Sequence, residues 1–337
     1  MLVAALVVVA GAILGVAGFA YDQTHADWRP HLTRTSTGLR VTQPVGDINE
    51  PVLSGDHLVW QDGSYTIALD LSSGTSRLIG AAHDGQSVMP PIASSEAASW
   101  LESSGDAPQH TLLYLYAFSS HRRQLVLSAA SGLDPPALGG QTLYWLRGRG
   151  STTAVVACDA ASGRRRVLAT GEGLGPFLMA DASLVAWSHQ DTPGGAFTLT
   201  VYDLRLGTMT DLQLPGQTPG AIFDTPILAG GTLAWLRWSK TGPATITTYD
   251  LDTLAERQVV SGRALVGPGF DGSTVVWAQP SPTGGDDVMG LRLASGVAFR
   301  VAHVATGVQS VLVSGDRVAW WVRTASHAWI ETTRLPR

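Results

Sequence analysis

Apolar residues fall along this chain in two patterns. Leu2 to Ala20 is an unbroken run of 19 apolar or glycine residues with no charge. After it, apolar and polar residues alternate over short stretches bounded by Gly, Pro, Asp and Ser, the pattern of half-buried strands joined by tight turns. The alternation repeats as a unit. Tryptophan recurs at Trp60, Trp100, Trp145, Trp187, Trp235, Trp277 and Trp320, once every 40–48 residues. Five positions earlier stands a small residue (Gly55, Ser95, Gly140, Ala182, Gly230, Gly272, Gly315). Two positions earlier stands an apolar one, from Leu58 in the first copy to Val318 in the last.

Each copy predicts four short strands. A proline (Pro51, Pro91, Pro136, Pro226, Pro268) opens the first, where its missing N–H costs least. The small residue turns the chain into the second strand, which carries the tryptophan. A third strand ends in Asp70-Leu71-Ser72-Ser73-Gly74, Asp159 to Gly163, or Asp203 to Gly207. There the aspartate accepts from backbone N–H groups further on and the glycine takes a positive φ. A fourth strand follows, as in Arg77-Leu78-Ile79. Copies two and five lack the glycine, so their turns are expected to differ. Four strands every ~43 residues is the repeat of a β-propeller blade, and seven copies predict an all-β, seven-bladed propeller over 39–337. The last copy stops after its third strand, around Trp329 to Thr333. Thr35 to Gly38 and Leu39-Arg40-Val41 read as the missing turn and fourth strand, which would close the ring and cover an exposed edge.

The N-terminal run has a different meaning. As a helix it would be roughly 28 Å long, close to the ~30 Å hydrocarbon core of a bilayer. We expect residues 1–21 to form a single transmembrane anchor or uncleaved signal segment, and 22–38 a linker. Arg29, Arg34 and Arg40 follow the span and no Lys or Arg precedes it, so a literal positive-inside count favours a cytoplasmic domain. The free N-terminal amine weighs against that count, and we expect the propeller outside the cytoplasm.

Composition narrows the function classes. Charged residues make up 15% and the net charge is −5, which argues against nucleic-acid binding. One cysteine, Cys158, excludes an internal disulfide framework and a cysteine-rich zinc site. The nine histidines show no His-Glu-x-x-His spacing, and there is no Gly-x-Ser-x-Gly elbow or phosphate-binding loop. No cofactor and no metal are expected.

The unit Gly-x-x-apolar-x-Trp followed by Asp-Leu-x-Thr/Ser-Gly resembles the blade repeat of TolB-like and related WD-type propellers, over about residues 39–337. The resemblance implies the architecture and no particular activity. Only some 20 residues separate the apolar span from the first strand, too few for the N-terminal domain of TolB. That propeller also has six blades, and the Trp-Asp dipeptide of true WD repeats is missing.

Candidate chemistry sits at the strand ends. Two positions after each repeat tryptophan stand Asp62, Glu102, Arg147, His189, Arg237, Gln279 and Val322. This is a mostly polar ring expected near one face, against the alternative of an ordinary strand-to-loop transition. Trp238 and Trp321 fall outside the tryptophan register, near loops, and are candidate surface aromatics. Asp47, Asn49, Glu50, Asp134 and Asp224 lead into the innermost strands as a loose acidic mouth, and Asp271 is the charged residue at an innermost-strand position. The repeat tryptophans themselves are expected to pack between blades. We expect a membrane-anchored, non-catalytic scaffold binding a protein or small ligand at the propeller's loop face. The alternatives are a propeller hydrolase or lyase acting on glycans or envelope polymers, and an envelope ligand sensor.

Overall fold

A computed structural model describes residues 29–336 except 37, 44–47, 83–85, 105–109, 130–132, 150–151, 190–196, 214–221, 224–225 and 239–241. The apolar run at 2–20 lies outside the described residues, as do Trp28, Asp47 and Asp224. Among the described residues the strands form seven antiparallel sheets, one for each copy of the repeat. Blade 1 is representative: Ile48–Ser54 is innermost, then His57–Asp62, Tyr65–Asp70 and Thr75–Ala81 outward. No helix among the described residues is long and apolar enough to cross a membrane.

The ring closes as the pattern predicts. Blade 7 supplies Val308–Ser314, Arg317–Arg323 and Ala328–Arg334, and the N-terminal strand Leu39–Thr42 pairs with the last of these as the fourth strand. A further strand, His31–Arg34, lies outside it and belongs to the stretch read as a linker. Arg40 fastens the closure. Its Nε donates to Glu331 Oε1 at 2.9 Å, its guanidinium lies over the Trp329 ring, and Trp329 Nε1 donates to the same carboxylate at 3.3 Å.

The core is divided among the seams between blades. Seven apolar clusters each join two neighbouring blades, and each holds one repeat tryptophan turned toward the preceding blade. Trp100 of blade 2, for example, packs with Val59, Ala68 and Ile79 of blade 1. Trp60 packs with Ala319, Trp321 and Ile330 of blade 7, which completes the circle. None of the seven is more than 3% exposed. A buried indole removes roughly 150–250 Å² from water, at about 25 cal/mol per Å². The tryptophans therefore act as the mortar between blades.

Two turn details depart from the sequence pattern. The third-to-fourth-strand turns of copies two and five do not change shape to accommodate their missing glycine. His121 and Leu254 occupy that position with φ of 54° and 57°, close to the 71° of Gly74. In copy five the hydrogen bonds of the turn outweigh the steric cost: Asp250 Oδ1 accepts from the N–H groups of Asp252 and Thr253 and from the Thr253 hydroxyl. Asp271 closes the turn between the first two strands of blade 6. Its carboxylate accepts from Ser273 N, Ser273 Oγ and Thr274 N.

Candidate ligand site at the mouth of the ring

The innermost strands begin, and the second strands end, on the same face of the propeller, here called the upper face. Ile48 at the start of one strand pairs with Asp62 at the end of the next, and Val308 pairs with Val322. The polar ring is therefore placed at one face, at equivalent strand ends. Its members differ in environment. Asp62 and Glu102 are buried, His189, Arg237 and Gln279 half-buried, Arg147 exposed, and Val322 fully buried.

Two ring members serve the seams directly. Trp100 Nε1 donates to Glu102 Oε1 at 3.0 Å, and Trp277 Nε1 donates to Gln279 Oε1 at 2.9 Å. Residues i and i+2 on a strand face the same way, so a carboxylate or amide two residues on reaches back to the indole N–H. Arg123 lies 3.5 Å from the same Glu102 oxygen and stacks over Tyr114 at 4.0 Å. This interaction buries Glu102 completely between blades. The signal was visible as Trp-x-Glu and Trp-x-Gln in the second strands.

Between blades 7, 1, 2 and 3 the upper face opens into a pocket of about 640 Å³. Its rim is built from the segments that start the innermost strands. Pro51, Pro90, Pro91, Pro135 and Pro136 contribute five rings, with Met89 and Ile92 between them. Proline offers a carbonyl but no N–H, so these prolines add no backbone donor to the rim. Donors come from blade 7. Ser310 and Trp321, paired across the first two strands, line the pocket, and both the Ser310 hydroxyl and the Trp321 indole N–H are buried without a hydrogen-bond partner among the described residues. Buried donors left unpaired are uncommon and costly, by about 1–3 kcal/mol each.

Trp321 is 9% exposed, so it is not the surface aromatic its position suggested. It packs in the seam between blades 7 and 1 and also lines the pocket. Trp238, at 39% exposed, is a surface residue as expected. Glu50 and Gln309 stand exposed at the rim. Glu50 sits at an irregularity in the innermost strand with φ of 38°. Asp134 is exposed beside the rim prolines, and Asn49 is half-buried. Among the described residues no three His, Cys, Asp or Glu side chains gather as a metal-ligand set. The sequence pattern marks Pro51, Pro91 and Pro136 only as strand openers and does not single out Pro90 or Pro135. Their convergence depends on four blades meeting, which no local pattern encodes.

Comparison with known proteins bears on the fold. No family model matches the chain, and no curated protein matches it in sequence. The chain is similar in structure to an oligogalacturonate lyase in complex with manganese, with a TM-score of 0.58 at 15% identity over 93% of this chain and 97% of that one. It is similar to a chain of the mitotic checkpoint complex, with a TM-score of 0.57 at 12% identity over 93% and 94% of the two chains. The β-propeller domain of the Trilobed protease from Pyrococcus furiosus gives a TM-score of 0.55 at 8% identity, over 75% and 84%. That domain has an open velcro topology, whereas strand Leu39–Thr42 closes the ring here. The chain is a seven-bladed β-propeller. At these identities the likeness establishes the fold alone, and similar folds occur in a lyase, a protease and a chain of the mitotic checkpoint complex.

Proposed function

We propose that this propeller is a non-catalytic binding module, taking its partner at the upper-face pocket and held at a membrane by its N-terminal segment. The proline-lined pocket, with Ser310 and Trp321 in its wall, is the observation that carries this reading. A partner that places an apolar side chain among the proline rings would match this lining. Fixed rings and donors cost little ordering entropy on binding, which favours a pre-formed site. Asp62, Glu102 and Arg147 then belong to blades that carry the site, and His189, Arg237 and Trp238 to blades 4 and 5 beyond it.

The test is co-purification of the full-length chain from detergent-solubilised, cross-linked membranes. Val52→Arg places a charge in the pocket from a half-buried position. Loss of the co-purifying partner with an unchanged far-UV circular dichroism spectrum supports the reading, and its retention overturns it. The lyase reading is tested separately by incubation with oligogalacturonate and manganese, in which turnover of the substrate would displace the binding module. An extracytoplasmic propeller is cut by added protease in spheroplasts without detergent, whereas a cytoplasmic one is protected.

A further inference from the structure

On the opposite, lower face, blades 1 and 2 leave a crevice of about 150 Å³ beside the turns that join third and outer strands. Blade 1 lines it with His57, Asp70 and Arg77, and blade 2 with Tyr116, Phe118 and His121. The His57 ring lies flat on Phe118, with centroids 3.8 Å apart and planes 5° apart. Its Nδ1 is buried and has no hydrogen-bond partner among the described residues. The Tyr116 hydroxyl is 3.3 Å from His121 Nδ1. Arg77 is exposed and forms no ion pair among the described residues. Ser73 and Thr75 complete the rim.

We propose that this crevice binds a small tetrahedral oxyanion, sulfate or phosphate, through Arg77, His57, His121 and the Tyr116 hydroxyl. The volume admits one such group and little more. The donors come from both blades, so an anion would link them at the lower face as the tryptophan links them in the seam. A guanidinium and two imidazoles are the side chains that bind oxyanions with charge-assisted hydrogen bonds.

Each neighbouring carboxylate has partners of its own. Asp70 Oδ1 accepts from Ser72 N, Ser72 Oγ and Ser73 N. Burial raises the Asp70 carboxyl, but those hydrogen bonds outweigh it and hold it at about 2. Asp70 is thus ionised and committed to its turn. Asp56, in the turn just before His57, is paired with Arg317. What remains depends on His57. Burial lowers His57 below its ordinary value, the nearby Asp70 and Asp56 raise it, and His121 lowers it again. His57 is therefore neutral at neutral pH. Uptake of an anion favours its protonated form, so binding tightens as the pH falls.

Sodium sulfate added to the full-length chain, with ionic strength held constant by sodium chloride, tests the site by calorimetry and by histidine-ring NMR. Saturable binding is expected, weakened about 10-fold or more in Arg77→Gln, whose exposed position leaves the fold intact. Affinity should rise about 10-fold from pH ~7.5 to ~5.5, and His57→Gln should flatten that rise. Vesicles of phosphatidylcholine with and without phosphatidic acid distinguish a lipid phosphate from the free ion. Arg77-dependent binding to either source supports the site. Shifts that do not saturate, or that persist equally in Arg77→Gln with both sources, overturn it.

Discussion

Gly80 shows how little room a seam leaves. A Cβ built there would lie 2.7 Å from the Trp100 ring, which is completely buried and held by Glu102. Gly80→Ala is expected to destabilise the protein by roughly 1–3 kcal/mol, measured by urea unfolding, because neither partner can give way. Leu254 presents the opposite case. Its positive φ belongs to a turn that elsewhere uses glycine, and its side chain is 56% exposed, so little packing is lost on removing it. Leu254→Gly should stabilise by about 0.5–1 kcal/mol, read in the same experiment. The sequence marks the turn of copy five through Asp250, as it marks that of copy one through Asp70. What it does not mark is whether a leucine will accept the backbone or the turn will change. The three hydrogen bonds to the Asp250 carboxylate decide that.

At the scale of the element, the turns carry a pH signature. Hydrogen bonds to Asp70 outweigh burial and hold it at about 2 against an ordinary 3.8, and the Asp159 and Asp250 turns lower their carboxyls in the same direction. A carboxyl depressed in the folded state stabilises it fully above the ordinary value and loses that contribution as the pH falls toward the folded one. The thermal midpoint should therefore fall between about pH 4 and pH 2, and Asp70→Asn should be flatter across that window. The closing strand shows what local pattern can deliver. Leu39-Arg40-Val41 is legible as an orphan fourth strand, and Leu39–Thr42 pairs with Trp329 to Thr332. The outer strand His31–Arg34 is exposed along its length, so no buried alternation announces it.

For the whole molecule, the seven tryptophans disclose the architecture because each seam repeats one packing problem. The ligand site breaks the repeat. Blades 7, 1, 2 and 3 supply different residues to one pocket, and their meeting follows from closure of the ring rather than from any blade. The polar ring was legible as a set at one face, yet burial divides it. Glu102 lies in a seam with Trp100 and Arg123, whereas Arg147 faces solvent. The central claim is that the proline-rimmed pocket takes the partner. Site-specific photo-cross-linking in living cells tests it most directly, with the photoreactive residue at Gln309 on the rim or at Leu206, exposed on a lower-face turn of blade 4. The account predicts a discrete adduct from position 309, lost when Val52→Arg is added, and none from position 206. Adducts of equal yield from both positions, or an adduct from 309 that survives Val52→Arg, would contradict it.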